Sequence, residues 1–264
     1  MKRWALSIFA LLFTLQVFSQ SAGFCGLENT AFQSGESLTY KVYYNVSFAY
    51  IGAGEVNFTT TLTDLDGRPA YHVVGEGHTY HSYDWIFKVR DRYETYIDAS
   101  SLAPLKFIRN VNEGDYHKYN VITFDHERNT ATSLQGTYKV PPCVQDVLSA
   151  IYYARNIDFD KYKPGDKIFF SLFLDDEVYH IYIHYLGKEN VTTRYGTFRA
   201  IVFKPLLIKG TIFEGGEKMT VWVSDDENRI PLRVNTPITV GSIKVDLIGF
   251  KNLRHPFTSL ISKN

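Results

Sequence analysis

The sequence predicts a mainly β fold: two related, curled antiparallel meanders, half-barrel-like, joined by one amphipathic helix. Three observations predict it. First, the second half echoes the first. Gly35-Glu36-Ser37-Leu38-Thr39-Tyr40 opens one half and Gly165-Asp166-Lys167-Ile168-Phe169-Phe170 opens the other, each reading Gly, acid, any, aliphatic, any, aromatic. Gly67 and Gly196 follow at nearly equal distances. Tyr96-Ile97-Asp98 leading to Leu102-Ala103-Pro104 is matched by Trp222-Val223-Ser224 leading to Arg229-Ile230-Pro231. A repeated order of turn and strand signals is one meander used twice. Second, apolar and polar residues alternate with period two through most of the chain. Third, a single segment breaks that period.

Residues 1–22 read as a secretory signal peptide, with Lys2 and Arg3 before an apolar run from Trp4 to Phe18 and small residues at Ser19, Ser21 and Ala22. The run is shorter than the ~20 residues a spanning helix needs. Cleavage after Ser19 or after Ala22 both fit. Phe24 stands before Cys25, where a lipoprotein signal needs a small residue. The remaining chain, 23–264, is expected to be exported, without a transmembrane segment, and to form one β-rich domain of two halves, about 35–135 and 165–254.

Within the first half, Leu38, Tyr40, Val42, Tyr44 and Val46 share one strand face, with Tyr43 among the polar residues opposite. Val56, Phe58, Thr60 and Leu62 repeat the pattern before an Asp64-Leu65-Asp66-Gly67 hairpin turn. Gly52-Ala53-Gly54 and Gly75-Glu76-Gly77 read as turns or bulges. Trp85 to Asp98 reads as one long strand, roughly 46 Å at ~3.3 Å per residue, with Trp85, Phe87, Val89, Tyr93, Thr95 and Ile97 on one face. A strand of that length belongs to a strongly twisted sheet. Further strands are expected near 105–112, 116–125 and 130–134. After Pro141-Pro142, Val144, Val147, Leu148 and Ile151 recur at helical spacing and Gln145, Asp146 and Ser149 fall opposite, which predicts a helix over about 144–155. Lys163-Pro164-Gly165-Asp166 is a turn, and strands follow near 168–174, 178–186, 189–194, 197–204, 218–224, 231–235 and 239–250.

Removing Lys2 and Arg3 takes the formal charge from 0 to −2. With no basic cluster, electrostatics gives no reason to expect nucleic acid. Cys25 and Cys143 are the only cysteines; in an oxidising compartment they suit one disulfide, the alternative being two buried thiols.

Catalytic motifs are missing: there is no Gly-x-Ser-x-Gly, P-loop or dinucleotide fingerprint. His180 and His184 on a strand would stand about 13 Å apart, too far to share a metal. His72, His78 and His81 fit no ligand spacing, and neither Asp175-Asp176-Glu177 nor Asp225-Asp226-Glu227-Asn228 matches an EF-hand. We therefore expect no cofactor, metal or catalytic residue. Asp91 falls on an otherwise apolar face; an Arg partner or a bulge is the ordinary outcome and a proton-transfer role the sharper one. Trp85, Phe87, Tyr93, Phe107 and Phe170 would line the concave face of the sheet, as packed core or as a cavity for an apolar ligand.

Several ordered segments resemble an exported bacterial family, domain of unknown function 3108. They are Phe32 to Tyr40, Ile86 to Tyr93, Asp146 to Arg155, and Trp222-Val223-Ser224-Asp225-Asp226 to Arg229-Ile230-Pro231. The resemblance implies export across the inner membrane of a Gram-negative bacterium, to the periplasm or cell envelope. The family has no established activity, so it assigns no functional residue. The aromatic-to-proline strand pair is also similar to periplasmic lipoprotein-carrier half-barrels, a likeness of fold alone. The resulting expectation is a non-enzymatic module binding an apolar small molecule or an envelope protein. The alternatives are a carbohydrate-active or other hydrolase using strand carboxylates, or a structural assembly factor.

Overall fold

Alternating strands and tight turns build one continuous antiparallel sheet. The computed structural model describes residues 26–46, 49–208 and 215–263; the expected leader and Cys25 lie outside them. The first half contributes β1 (Ser37–Val46), β2 (Ala49–Leu65), β3 (Arg68–Thr79), β4 (Arg90–Asp98), β5 (Pro104–Glu113), β6 (Tyr116–Asp125), β7 (Thr130–Thr132) and β8 (Thr137–Lys139). After helix α1 (Val147–Ala154) come β9 (Lys167–Leu174), β10 (Glu177–Thr192), β11 (Gly196–Pro205), β12 (Thr220–Ser224), β13 (Pro231–Pro237), β14 (Ser242–Lys251) and β15 (Leu260–Lys263). Each half is a meander in sequence order, and the two meet edge to edge through β1 and β14. β15 adds to β11.

The repeat is visible in backbone conformation. Gly35 and Gly165, which open the halves, both have positive φ (88° and 102°). Leu102 and Arg229, each two residues before a strand-opening proline, also share left-handed φ values of 59° and 45°, which is costly for such side chains.

The helix is shorter than its apolar spacing predicts. Gln145 is held in a parallel bridge to Leu172 of β9, so the chain is still extended there. Asp146 is the N-cap: its carboxylate accepts from the amides of Leu148 and Ser149 at 2.8 Å, and Ser149 Oγ accepts from the Asp146 amide at 2.9 Å. This capping box starts the helix at 147. Val144 and Leu148 are buried as the spacing predicts, but so are the polar Gln145, Asp146 and Ser149, while Ile151 is exposed. Tyr152 Oη pairs with Thr60 of β2 at 3.0 Å, and Thr95 of β4 donates to Asp146 at 2.6 Å. β4 and β9, far apart in the sheet order, both lie against the helix, so the sheet curls around it.

The side chains pack into three apolar clusters. One joins the first-half strands to α1 around Phe32, Phe107, Ile122, Leu148 and Tyr152. A second lies in the second half around Phe159, Ile183 and Phe203. The third straddles the β1–β14 seam with Leu38, Tyr40, Leu232 and Leu247.

Two strand readings need correction. β1 and β2 shift register between Val42 and Tyr43, where Ala53 is the extra residue between Gly52 and Gly54, and Tyr43, on the polar side of β1, is buried to 1% exposure by the stacked Tyr50 ring and Arg194. Gly52-Ala53-Gly54 is thus a bulge, as its glycines suggest. The long strand at 85–98 begins only at Arg90: residues 85–88 find no strand partner, and Val89 makes only a lone bridge to Glu113.

Candidate functional site

The pairing of β2 with β3 creates an apolar groove. Val56 lies opposite Gly77 and Phe58 opposite Gly75. These glycines sit in regular strand, not in the turn or bulge their spacing suggests. A Cβ on Gly75 would come within 2.9 Å of the Phe58 ring, so the ring lies over the bare backbone. At Gly77 a Cβ would meet only Val56, at an ordinary 3.6 Å, which leaves open space. Asp91 and Tyr93 of β4 continue this wall, and Val147, Leu148 and Ile151 of α1 form the facing one, enclosing about 230 Å³.

A second cavity of about 220 Å³ lies between Leu38 and Tyr40 of β1, Tyr152 and Arg155 of the helix end, and Pro231, Val234 and Val245 across the seam. Val56, Phe58 and Ile151 line both. Each alone is below the ~300–1,000 Å³ usual for small-molecule sites, and the three shared side chains set the two side by side.

Below the second cavity lies a buried ion pair. Arg155 donates to both carboxylate oxygens of Glu36 at 2.6 and 2.8 Å and to the carbonyls of Ala31 and Asn228 at 3.2 and 3.1 Å. Its guanidinium stacks over Tyr152 and Phe32. The hydroxyls of Tyr40 and Tyr43 are buried without a partner, and burial pushes the Tyr40 phenol well up.

At the other end, Asp91 does not find an arginine. It is hydrogen-bonded to the Glu113 carboxyl, and its Oδ1 accepts from the Asn112 amide at 2.9 Å. Burial raises the pKa of both acids, and the charge of Asp91 raises that of Glu113 further. Carboxyls in hydrogen-bond contact leave no room for a sugar between them, since glycoside chemistry needs ~5–10 Å.

The five expected aromatic residues are dispersed. Tyr93 lines the groove. Phe107 is fully buried behind it, with ring centroids 6.3 Å apart. Phe170 packs on Tyr153 beside the second-half cluster. Trp85 and Phe87 lie outside the groove, 82% and 51% exposed. Val56, Phe58, Gly75, Gly77 and Ile151 were not expected there. The Gly-x-Gly spacing, paired with the Val-x-Phe of the preceding strand, is the signal that could have found them.

His180 pairs with Ser171, and His184 with Glu217 at 2.7 Å. Tyr182 and His184 hold Glu217 down at about 2. Asp175 is bound by Arg109 and Lys118, and Asp226 caps its own turn through Ser224 and the Asn228 amide. Among the described residues no metal-binding cluster occurs, and no helix is long and apolar enough to cross a membrane. No free cysteine occurs among them either.

A β-barrel-like protein of domain of unknown function DUF1849 from Brucella abortus superposes with a TM-score of 0.54 at 9% identity, covering 85% of this chain and 100% of that one. That likeness concerns the fold. A putative lipoprotein from Parabacteroides distasonis (14% identity, 85% and 100% coverage, TM-score 0.38) and a putative exported protein with a YmcC-like fold from Bacteroides fragilis (13%, 86% and 100%, 0.39) are more distant. No curated protein matches the sequence. The pattern of the family described as protein of unknown function (DUF3108) matches residues 39–248. With most of its length so matched, the chain belongs to the DUF3108 family.

Proposed function

We propose that the chain is a non-enzymatic module of the Gram-negative cell envelope that binds an acyl chain or similar elongated apolar ligand in the groove between α1 and β1–β4. The observation that carries this reading is the pair of adjoining apolar cavities that share Val56, Phe58 and Ile151, the first bordered by Tyr93 and left open at Gly77. Such a lining rewards apolar surface and gives little to a polar substrate. The exported setting rests on the leader-like residues 1–22. A Cys25–Cys143 disulfide belongs to the same proposal, and intact mass after alkylation, with and without reduction, tests it; labelling without reduction would refute the pairing.

Native mass spectrometry of protein purified from its own envelope fraction tests the ligand. The wild type should carry a reproducible added mass matching a lipid. Gly77→Phe, which fills the groove, should lose it while keeping the fold by circular dichroism. A bare mass for the wild type, or an unchanged adduct on Gly77→Phe, would overturn the groove reading.

A further inference from the structure

The β3–β4 connection presents Trp85, Ile86 and Phe87 outward in succession, at 82%, 62% and 51% exposure. This tip is built rather than frayed. The amides of Ile86 and Phe87 donate to the Tyr83 carbonyl at 2.9 and 3.1 Å. Trp85 Nε1 donates to the Ser82 carbonyl at 2.9 Å, so the indole has its hydrogen bond within the loop and offers its apolar body to the outside. Asp84 is tied to Thr79 at 2.9 Å and to Arg90 at 2.7 Å, and the Gly114 amide donates to the Lys88 carbonyl at 2.8 Å. Three adjacent large apolar side chains held out on a fixed turn want a covering surface.

We propose that Trp85, Ile86 and Phe87 insert into the surface of a lipid bilayer and set the mouth of the groove against it. Three features select a lipid surface over a protein. The tip is a projecting turn, whereas a stable protein interface covers about 800 Å² on each partner. Its composition, with half-exposed Tyr116 and exposed Lys88 beside it, is the mixture of aromatic rings and a basic head that suits the membrane–water boundary. Of the acids beside the tip, Asp84 is paired with Arg90 at 2.7 Å and Asp91 is half-buried against Glu113, leaving Asp115 as the exposed carboxylate of the adjoining turn. The placement is continuous with the groove. Gly77 pairs with Asp91 two residues short of the β3 end from which the connection leaves, and Phe87 lies against Gly114, next to Glu113. The inference deepens the groove reading and rests on it for its purpose, while insertion itself is measured separately.

Trp4, Trp85 and Trp222 are the only tryptophans. In a full chain carrying Trp4→Phe and Trp222→Phe, Trp85 is the sole reporter. Mixed with vesicles of phosphatidylethanolamine and phosphatidylglycerol, its emission should shift to the blue and be quenched by lipids brominated in the acyl chain. Ile86→Asp with Phe87→Asp should lower vesicle co-sedimentation by about tenfold or more. Emission indifferent to vesicles would overturn the proposal without touching the native-mass result for the groove. Equal co-sedimentation of the Asp variant would overturn it too. Retained lipid in Gly77→Phe alongside a vesicle-sensitive Trp85 would sink the groove reading and leave the inserted tip standing.

Discussion

The two halves share a scaffold and diverge where the groove lies. Both start on a positive-φ glycine, and both reach a strand-opening proline through a left-handed residue. Their third and fourth strands differ. The β11–β12 ladder runs from Ala200–Ser224 only to Phe203–Val221. The β3–β4 ladder runs from Ala70–Asp98 on to His78–Arg90. The added length carries Gly75, Gly77, Asp91 and Tyr93, which form the groove wall, and it ends in the Trp85–Phe87 tip. The longer hairpin gives the first half a groove wall that the shorter β11–β12 ladder does not provide.

Matched positions make this comparison testable. Glu36 and Asp166 occupy the same place in the repeat, yet Glu36 is 1% exposed against Arg155 while Asp166 lies exposed, accepting from the Lys163 amide at 2.8 Å. Glu36→Gln should therefore cost about 3–5 kcal/mol, because it strands a buried guanidinium. Asp166→Asn should cost no more than about 1 kcal/mol. Urea unfolding of both variants measures the gap, and equal losses would break the asymmetry between the halves.

Asp146 should come next. Burial pushes its carboxyl up to about 6, above the ~3.9 of an unfolded chain. A raised folded value means that the stability linked to its protonation is full below about pH 4. It is then lost as pH climbs through about 6, by up to roughly 2–3 kcal/mol. Asp146→Asn should flatten that slope in denaturant titrations between pH 4 and 7. Asp146→Ala should lose a further ~1–2 kcal/mol of cap energy.

The smallest effect concerns Tyr40, whose repeat counterpart is Phe170. Its hydroxyl is buried without a partner, so Tyr40→Phe should be neutral or stabilising by up to about 1 kcal/mol. A loss of stability would mean that the hydroxyl has a role the present contacts do not supply.

Much of this was legible in the sequence. Alternation correctly put Leu38 and Tyr40 inside, and the repeated Gly-acid and Pro signals marked both meanders. What escaped depends on partners distant along the chain. Tyr43 is buried on the polar side of β1 by Tyr50 of β2 and by Arg194 of the second half, partners no local pattern encodes. The helix starts late because Gln145 is claimed by β9. The groove exists only through the register that sets Val56 and Phe58 against two glycines. Trp85 and Phe87 alternate as a strand would, and are not one because the segment 85–88 lacks a neighbour to pair with.

The seam between β1 and β14 also sets an order in time. Ser37 meets Lys251 and Asn45 meets Ser242, so the first strand among the described residues is completed by one of the last. Until β14 arrives, β1 presents an unpaired edge that any passing strand could take, and contacts so distant in sequence form slowly. A chain threaded start-first through a membrane would spend that whole interval with its edge open, and a chaperone that shields strand edges would shorten its exposure to aggregation.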